Sequence, residues 1–338
     1  MANLDTQQLD EVIASGRRRM LALGGAALAG FAISSVAKAQ TTTLTDTDYL
    51  NFALNLEYLE ANFYTLAASG QTIDQMGISL TGTGTQGTVT VKGAGPAACK
   101  VPFANSLVQS YAMEIAQEER NHVSFLRGAL GTSAVAQPAI DLVNSFNGLA
   151  GLLGLGLSSF DPFANDINFL LGSYIFEDVG VTAYTGAAPL LTSTTNLDAA
   201  AGIQGVEAYH AGLVRTVIYG LDQSATTLGP AGTASAVASA ISKLRATVDG
   251  SSSISSTRLQ GDDIGLGTQT VMLNSSSGMT ASTLVNATTT GSINAAGSTG
   301  TAGSMVFSRS ASEVLAIVYA GGSGMGGFFP AGLNGNVK

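Results

Sequence analysis

Glu119 with His122 and Glu207 with His210 form two Glu-x-x-His pairs, and together they use both histidines of the chain. A glutamate and a histidine three residues apart lie on one helix face about a turn apart, so both can reach one metal ion. Both pairs sit inside apolar stripes. Val108, Ile115, Val123, Phe125, Leu126 and Leu130 flank the first, and Ile203, Val206, Leu213, Val214, Val217 and Ile218 flank the second. A carboxylate aimed into a core costs several kcal/mol unless something compensates its charge, and a divalent cation does so well. Taken alone, either pair reads equally as a satisfied core histidine beside a surface glutamate. Two such pairs that exhaust the histidines point to a shared metal centre.

Completing that centre requires one carboxylate from each of two further helices. Glu177 lies in the almost wholly apolar run Phe176-Glu177-Asp178-Val179-Gly180-Val181, and Glu57 and Glu60 lie on an earlier helix. Tyr64 follows Glu57 by seven residues and Tyr184 follows Glu177 by seven, each two turns along the same stripe. That match selects Glu57 as ligand and leaves Glu60 as a supporting group or alternate ligand. Tyr64 and Tyr184 are expected beside the ligands, as hydrogen-bond partners, oxidisable groups or simple core aromatics. Asp178 and Glu118 are expected to face solvent, with support of a histidine as their other reading. Arg127 and Arg215, each five after a histidine, are expected to pair with acids at the bundle surface.

The spacings repeat. Glu57, Tyr64, Glu119, His122 and Arg127 are answered by Glu177, Tyr184, Glu207, His210 and Arg215. From the single glutamate to the Glu-x-x-His pair is 62 residues in the first half and 30 in the second, and the difference equals the 32 residues of a Gly/Thr-rich insertion at 70–101. A pseudo-twofold bundle with metals on its axis follows.

The elements that must position these groups are four long helices. The pattern predicts them over 45–68, 102–130, 162–189 and 197–220, with a long crossover at 132–161. The insertion reads as an exposed hairpin. A fifth helix over 233–248 carries no evident chemistry, and 249–306 is a Ser/Thr/Gly-rich tract that is extended, loosely β or disordered. Ser310 and Glu313 form a capping box before a short apolar helix that docks back on the bundle. The glycine-rich tail in 307–338 brings Phe328 and Phe329 to bury.

The constellation resembles the ferritin-like superfamily, in which two helices each give a Glu and two others each give Glu-x-x-His. More narrowly, the run from Asn51 to Ala61, the segment from Phe176 to Gly180 and the Gly-Gly-Phe-Phe-Pro tail resemble the exported ferritin-like family that includes plant desiccation-related proteins. The resemblance covers about residues 44–221 and 308–335. It implies an all-α ferritin-like bundle within 40–248 and two metal ions, iron first and manganese second. It further implies that Glu119 and Glu207 bridge the ions, with Glu57, Glu177, His122 and His210 as terminal ligands. Its expected chemistry is an oxidase or peroxidase acting on Fe(II), dioxygen or peroxide. The alternative is a stress-related or surface protein whose metal site is structural or vestigial.

Composition narrows the setting. Charged residues make up only 11% of the 338, and the net charge is -9. That balance argues against nucleic acid as a partner. A single cysteine, Cys99, excludes an intrachain disulfide and a cysteine-ligated electron-transfer centre, and is expected to be unpaired beside the insertion. Residues 1–39 read as an address: Ser15-Gly16-Arg17-Arg18-Arg19-Met20-Leu21, a mild apolar run, then Ala37-Lys38-Ala39 before Gln40. This resembles a twin-arginine signal and implies a periplasmic or extracellular protein. An ordinary secretory signal or a retained anchor is the other reading. No later stretch is long and apolar enough to span a membrane, and self-association remains open.

Overall fold

A computed structural model of the chain describes residues 43–222, 231–250, 263, 265–274, 279–285, 289–290 and 305–338. The expected leader lies outside these residues, as does much of the Ser/Thr/Gly tract.

Four long helices, α1 (Asp46–Ser69), α2 (Ser106–Leu130), α4 (Asp166–Ala187) and α5 (Thr194–Asp222), form the all-α ferritin-like bundle. Their starts are chemically marked. Thr45 and Asp48 make a capping box ahead of α1, and the side chains of Asn105 and Asn165 accept the first backbone N–H groups of α2 and α4. The two α2 and α4 caps lie three residues after Pro102 and Pro162, so both helices begin later than expected. Gly70, at φ 74°, ends α1 in the left-handed conformation that glycine adopts freely. α4 is buried from Phe169 to Thr182, as its unbroken apolar run requires.

Cross-helix contacts fix the directions. Asn51, Tyr58 and Thr65 of α1 bond in turn to Ser133, Arg127 and Arg120, so α1 and α2 run antiparallel. Asp178 with Arg215 and Thr185 with Gln204 give the same arrangement for α4 and α5. The crossover between the two pairs contains α3 (Asn144–Leu152).

The insertion is not a hairpin. Its strand β1 (Val89–Thr90) pairs in parallel with β2 (Ile140–Asp141) of the crossover, and Thr83 bridges to Val135 in the same sense. The segment is a strap laid along residues 134–142, held by bonds such as Gly87 N–H to the Gln137 carbonyl at 2.8 Å. Gly87 lies so close to that backbone that a Cβ there would collide with Ala139. Alternating valines suggest a strand without naming its partner, and the crossover supplies one.

Beyond the bundle come α6 (Ala234–Val248), the antiparallel pair β3 (Gly267–Asn274) and β4 (Met279–Val285), the short pair β5 (Thr289–Thr290) and β6 (Met305–Val306), and α7 (Ala311–Val318). α7 starts on the Ser310–Glu313 capping box. The tail buries Phe328 and Phe329, and Asn334 bonds to α1 through Asn55 and to the strap through Thr85. Cys99 is a buried free thiol.

The expectations for Asp178, Arg215, Arg127 and the fifth helix are overturned. Asp178 and Arg215 are buried rather than at the surface, and are joined by a bidentate pair with Arg215 Nε and Nη2 at 2.9 and 2.7 Å from the carboxylate. α6, expected to carry no chemistry, contributes Arg245, which donates to Asp178 at 2.6 Å and to Asp263 at 2.7 and 2.8 Å. Arg309 joins the network through Asp263 and Asp249. Arg127 meets no acid in these contacts, bonding instead to the Tyr58 hydroxyl, Ser79 and the Thr81 carbonyl. The duplication explains the contrast: Tyr58 follows Glu57 where Asp178 follows Glu177, so related arginines find a phenol in one half and a carboxylate in the other.

Candidate metal centre

The six side chains proposed from spacing converge in the middle of the bundle, one each from α1 and α4 and two each from α2 and α5. Glu57, Glu119, Glu177, Glu207 and His210 are at most 2% exposed, and His122 is 7% exposed. Both histidines turn Nδ1 inward. His122 Nδ1 lies 3.2 Å from Glu57, 3.4 Å from Glu119 and 3.7 Å from Glu207. His210 Nδ1 lies 3.1 Å from Glu119 and 3.2 Å from Glu177. Glu119 therefore directs one oxygen to each histidine, the position of a bridging carboxylate.

Three overlapping donor groups result, with ligand atoms within 4.8 Å of one another: Glu57, Glu119, His122 and Glu207; Glu119, Glu177 and His210; Glu60, Glu177 and Glu207. Glu119, Glu177 and Glu207 are each shared between two groups. Glu60, left by the spacing as the alternate ligand, is also buried at the cluster. Its counterpart in the second half is Gly180, where a Cβ would overlap the Glu207 carboxylate. One half therefore brings an additional acid where the other makes room for one.

The tyrosines exchange partners across the axis. Tyr64 of α1 donates to Glu177 of α4, and Tyr184 of α4 donates to Glu57 of α1. The two outer carboxylates are thus held by phenols of the opposite half, a contact that a seven-residue spacing within one helix does not reveal. Glu118, expected at the surface, accepts from His210 Nε2 at 2.7 Å and remains partly exposed. A carboxylate on the far nitrogen fixes the tautomer and the ring plane. Val206 stands where the duplication would put its counterpart, so His122 has no matching support.

Electrostatics show what the cluster lacks. Burial pushes the Glu57 carboxyl up to about 7, against the pull of His122. Burial and then the neighbouring carboxylates hold Glu60 and Glu207 well above the usual range. Burial alone would lower the histidines, but Glu57 and Glu119 drive His122 up to about 12, and Glu177 and Glu119 do the same for His210. In Glu119 burial is outweighed by the two histidines, which keep its carboxyl below the usual range. Among the described residues, both oxygens of Glu119 and Glu207, one oxygen of Glu177 and Nδ1 of His210 are buried without a hydrogen-bond partner. His210 Nδ1 is near two carboxylates, yet the alignment is not that of a hydrogen bond. Such atoms are costly to leave unsatisfied. Glu57, Glu119, Glu177 and Glu207 with two imidazoles, and Glu60 as a fifth acid beside them, make a donor set of oxygen and imidazole groups that could hold metal.

A pocket with a cavity volume of about 30 Å³, part of it open to solvent, reaches this cluster from one side. Its walls include Ala53, Leu56, Ala183 and Leu191, and Glu57, Glu60 and Glu207 lie at its floor.

The sequence profile of the ferritin-like domain matches residues 45–220. The desiccation-related protein PCC13-62 of Craterostigma plantagineum is 35% identical over 179 residues, covering 52% of this chain and 53% of that protein. The ferritin-like catalase Nec2 of Nesocodon mauritianus is 27% identical over 177 residues, with the same coverage of each. The chain thus spans about half the length of the curated relatives it matches. No solved structure gives a significant match.

Proposed function

The chain belongs to the ferritin-like domain family, and from that footing we propose that it is an exported, carboxylate-bridged dimetal protein that works as an oxidase or peroxidase. Its substrates are Fe(II), dioxygen or peroxide, and peroxide is favoured because one relative is named a ferritin-like catalase. Iron is the first choice of metal and manganese the second. The observation that carries this reading is Glu119, buried between two histidines with neither oxygen hydrogen-bonded.

Bound there, two such ions supply paired one-electron steps at neighbouring positions. The residues do the rest. Glu119 and Glu207, together with Glu57, His122, Glu177 and His210, would hold the ions. Tyr64 and Tyr184 hold the outer carboxylates in place, and Glu118 holds the His210 ring with Nδ1 inward. Burial excludes bulk water, which strengthens each of these interactions. Export rests on the residues 1–39 pattern, which suits a protein folded and loaded before it leaves the cytoplasm.

Metal content per chain, followed by peroxide consumption of the loaded protein, tests the proposal. We expect two ions per chain and turnover that Glu119→Ala and His210→Ala abolish. Fewer than two ions, or two ions inert to peroxide and to Fe(II) with air, would overturn it. The second reading, a desiccation-related protein with a structural metal site, draws on the name of the other relative. It predicts that metal raises the melting temperature without conferring turnover.

A further inference from the structure

The two halves of the bundle differ in what lies between the cluster and the outside. The offset that carries Glu57 onto Glu177 and Tyr64 onto Tyr184 also carries Leu56 onto Phe176 and, in the other direction, Ala183 onto Phe63. Leu56 and Ala183 are half-buried and line the pocket. Phe63 and Phe176 are buried with ring centroids 5.3 Å apart. Phe146 from the crossover packs on both, at 5.8 and 5.9 Å, and Phe328 from the tail packs on Phe176 at 4.9 Å. Gly172 leaves the space that the Phe63 ring fills. One approach to the cluster is therefore plugged by aromatic rings drawn from three parts of the chain, and the twofold-related approach is left open.

The open approach has a definite chemistry. Its lining is mostly alkyl and aromatic, and its polar side chains are the phenols of Tyr49 and Tyr184 and the carboxylates of Glu57, Glu60 and Glu207. A hydrated cation entering it would exchange water for hydrocarbon, a transfer that costs far more than binding at the floor returns along the way. A small uncharged molecule carries a far smaller penalty, least for an apolar one such as dioxygen.

We propose that this pocket is the entry for a small neutral oxidant, of the size of dioxygen or hydrogen peroxide, delivered to the Glu57 and Glu207 side of the cluster, and that the phenylalanine plug closes the opposite side. The inference rests on the dimetal reading and narrows its substrate to an uncharged one, with Leu56 and Ala183 as the residues that keep the path open.

Two probes test it. Xenon, an apolar atom that occupies dry cavities, is applied to the metal-free protein and followed by NMR in wild type, Ala183→Phe and Leu56→Phe, each of which installs the residue of the opposite half. Nitric oxide, a neutral diatomic, is mixed with the Fe(II)-loaded proteins and its association rate followed optically. We expect xenon in the wild-type pocket and in neither variant. We also expect association of nitric oxide to slow by about tenfold or more in both variants, with metal content unchanged at the wild-type value. An unchanged rate in a metal-loaded variant that has lost its xenon site overturns the entry route alone. Xenon absent from the wild-type pocket overturns it as well. A wild-type chain that takes up no metal overturns the dimetal reading and delivery to a metal with it. Two substitutions at separate helices guard against one that fails to fold.

Discussion

Glu119 places one oxygen toward each histidine, yet the two ends it joins are not equivalent. His210 has Glu118 on its outer nitrogen at 2.7 Å, and His122 has no counterpart because Val206 fills the related position. A supporting carboxylate of this kind is worth about 10 to 100-fold in metal affinity. Glu118→Ala is therefore expected to weaken one of two binding events by that factor and leave the other near its wild-type value, as read by calorimetric titration. Glu118→Gln keeps an acceptor and should lose less. Equal weakening of both events would show that Glu118 acts on the bundle as a whole rather than through His210. The Glu-x-x-His pairs were legible at this scale because helix geometry alone sets their facing. Glu118 was not, since a residue one place from a core ligand points outward on its own helix and meets a histidine only when a second helix is set beside it.

At the scale of elements, the chain after the bundle is fastened by charge. Arg245 of α6 is 3% exposed and spans Asp178 of α4 and Asp263, and Arg309 ahead of α7 joins at Asp263. Removing one partner of a buried pair leaves a charge without compensation and costs about 3–5 kcal/mol. Arg245→Met should lower unfolding stability by that order in urea titrations. Asp178→Asn should cost a comparable amount, because Arg215 loses its bidentate carboxylate and Arg245 loses one of its two acids. A change below about 1 kcal/mol would indicate that α6 is held by apolar packing instead. Helix positions came close from sequence because caps and glycine stops are local signals. The parallel pairing of the insertion with the crossover did not, since β1 and β2 are only two residues each and are separated by half a hundred others.

For the molecule as a whole, the cluster sets how stability responds to pH. In the metal-free protein Glu57 is raised from 4.5 to about 7, and both histidines from 6.5 to about 12. Glu60 and Glu207 are raised as well. Each raised group stabilises the fold fully below its unfolded value and loses that contribution as pH climbs toward its folded value. Glu57 loses its share between 4.5 and about 7, and the histidines begin to lose theirs above 6.5. Glu119, lowered, acts only under more acidic conditions. The metal-free protein should therefore melt lower at about pH 9 than at about pH 6. Divalent ions displace these protons, so loading should reverse the order and release protons measurable in weak buffer. A melting temperature of the metal-free protein that rises over this range would contradict the assignment.

By itself the sequence determined the helical bundle, the duplication and the six groups at its centre, because periodicity and three- and seven-residue spacings are properties of one helix at a time. It also left Glu57 and Glu60 in competition, and the structure brings both to the cluster. Only the tertiary structure decided which half's tyrosine holds which carboxylate, where Glu118, Asp178 and Arg245 find their partners, and that one side of the cluster is open while the other is sealed. Those outcomes depend on contacts between different elements of the chain, such as Tyr64 with Glu177, 113 residues away. Spacing along a helix carries no information about them, since they arise only when the bundle sets the two halves face to face.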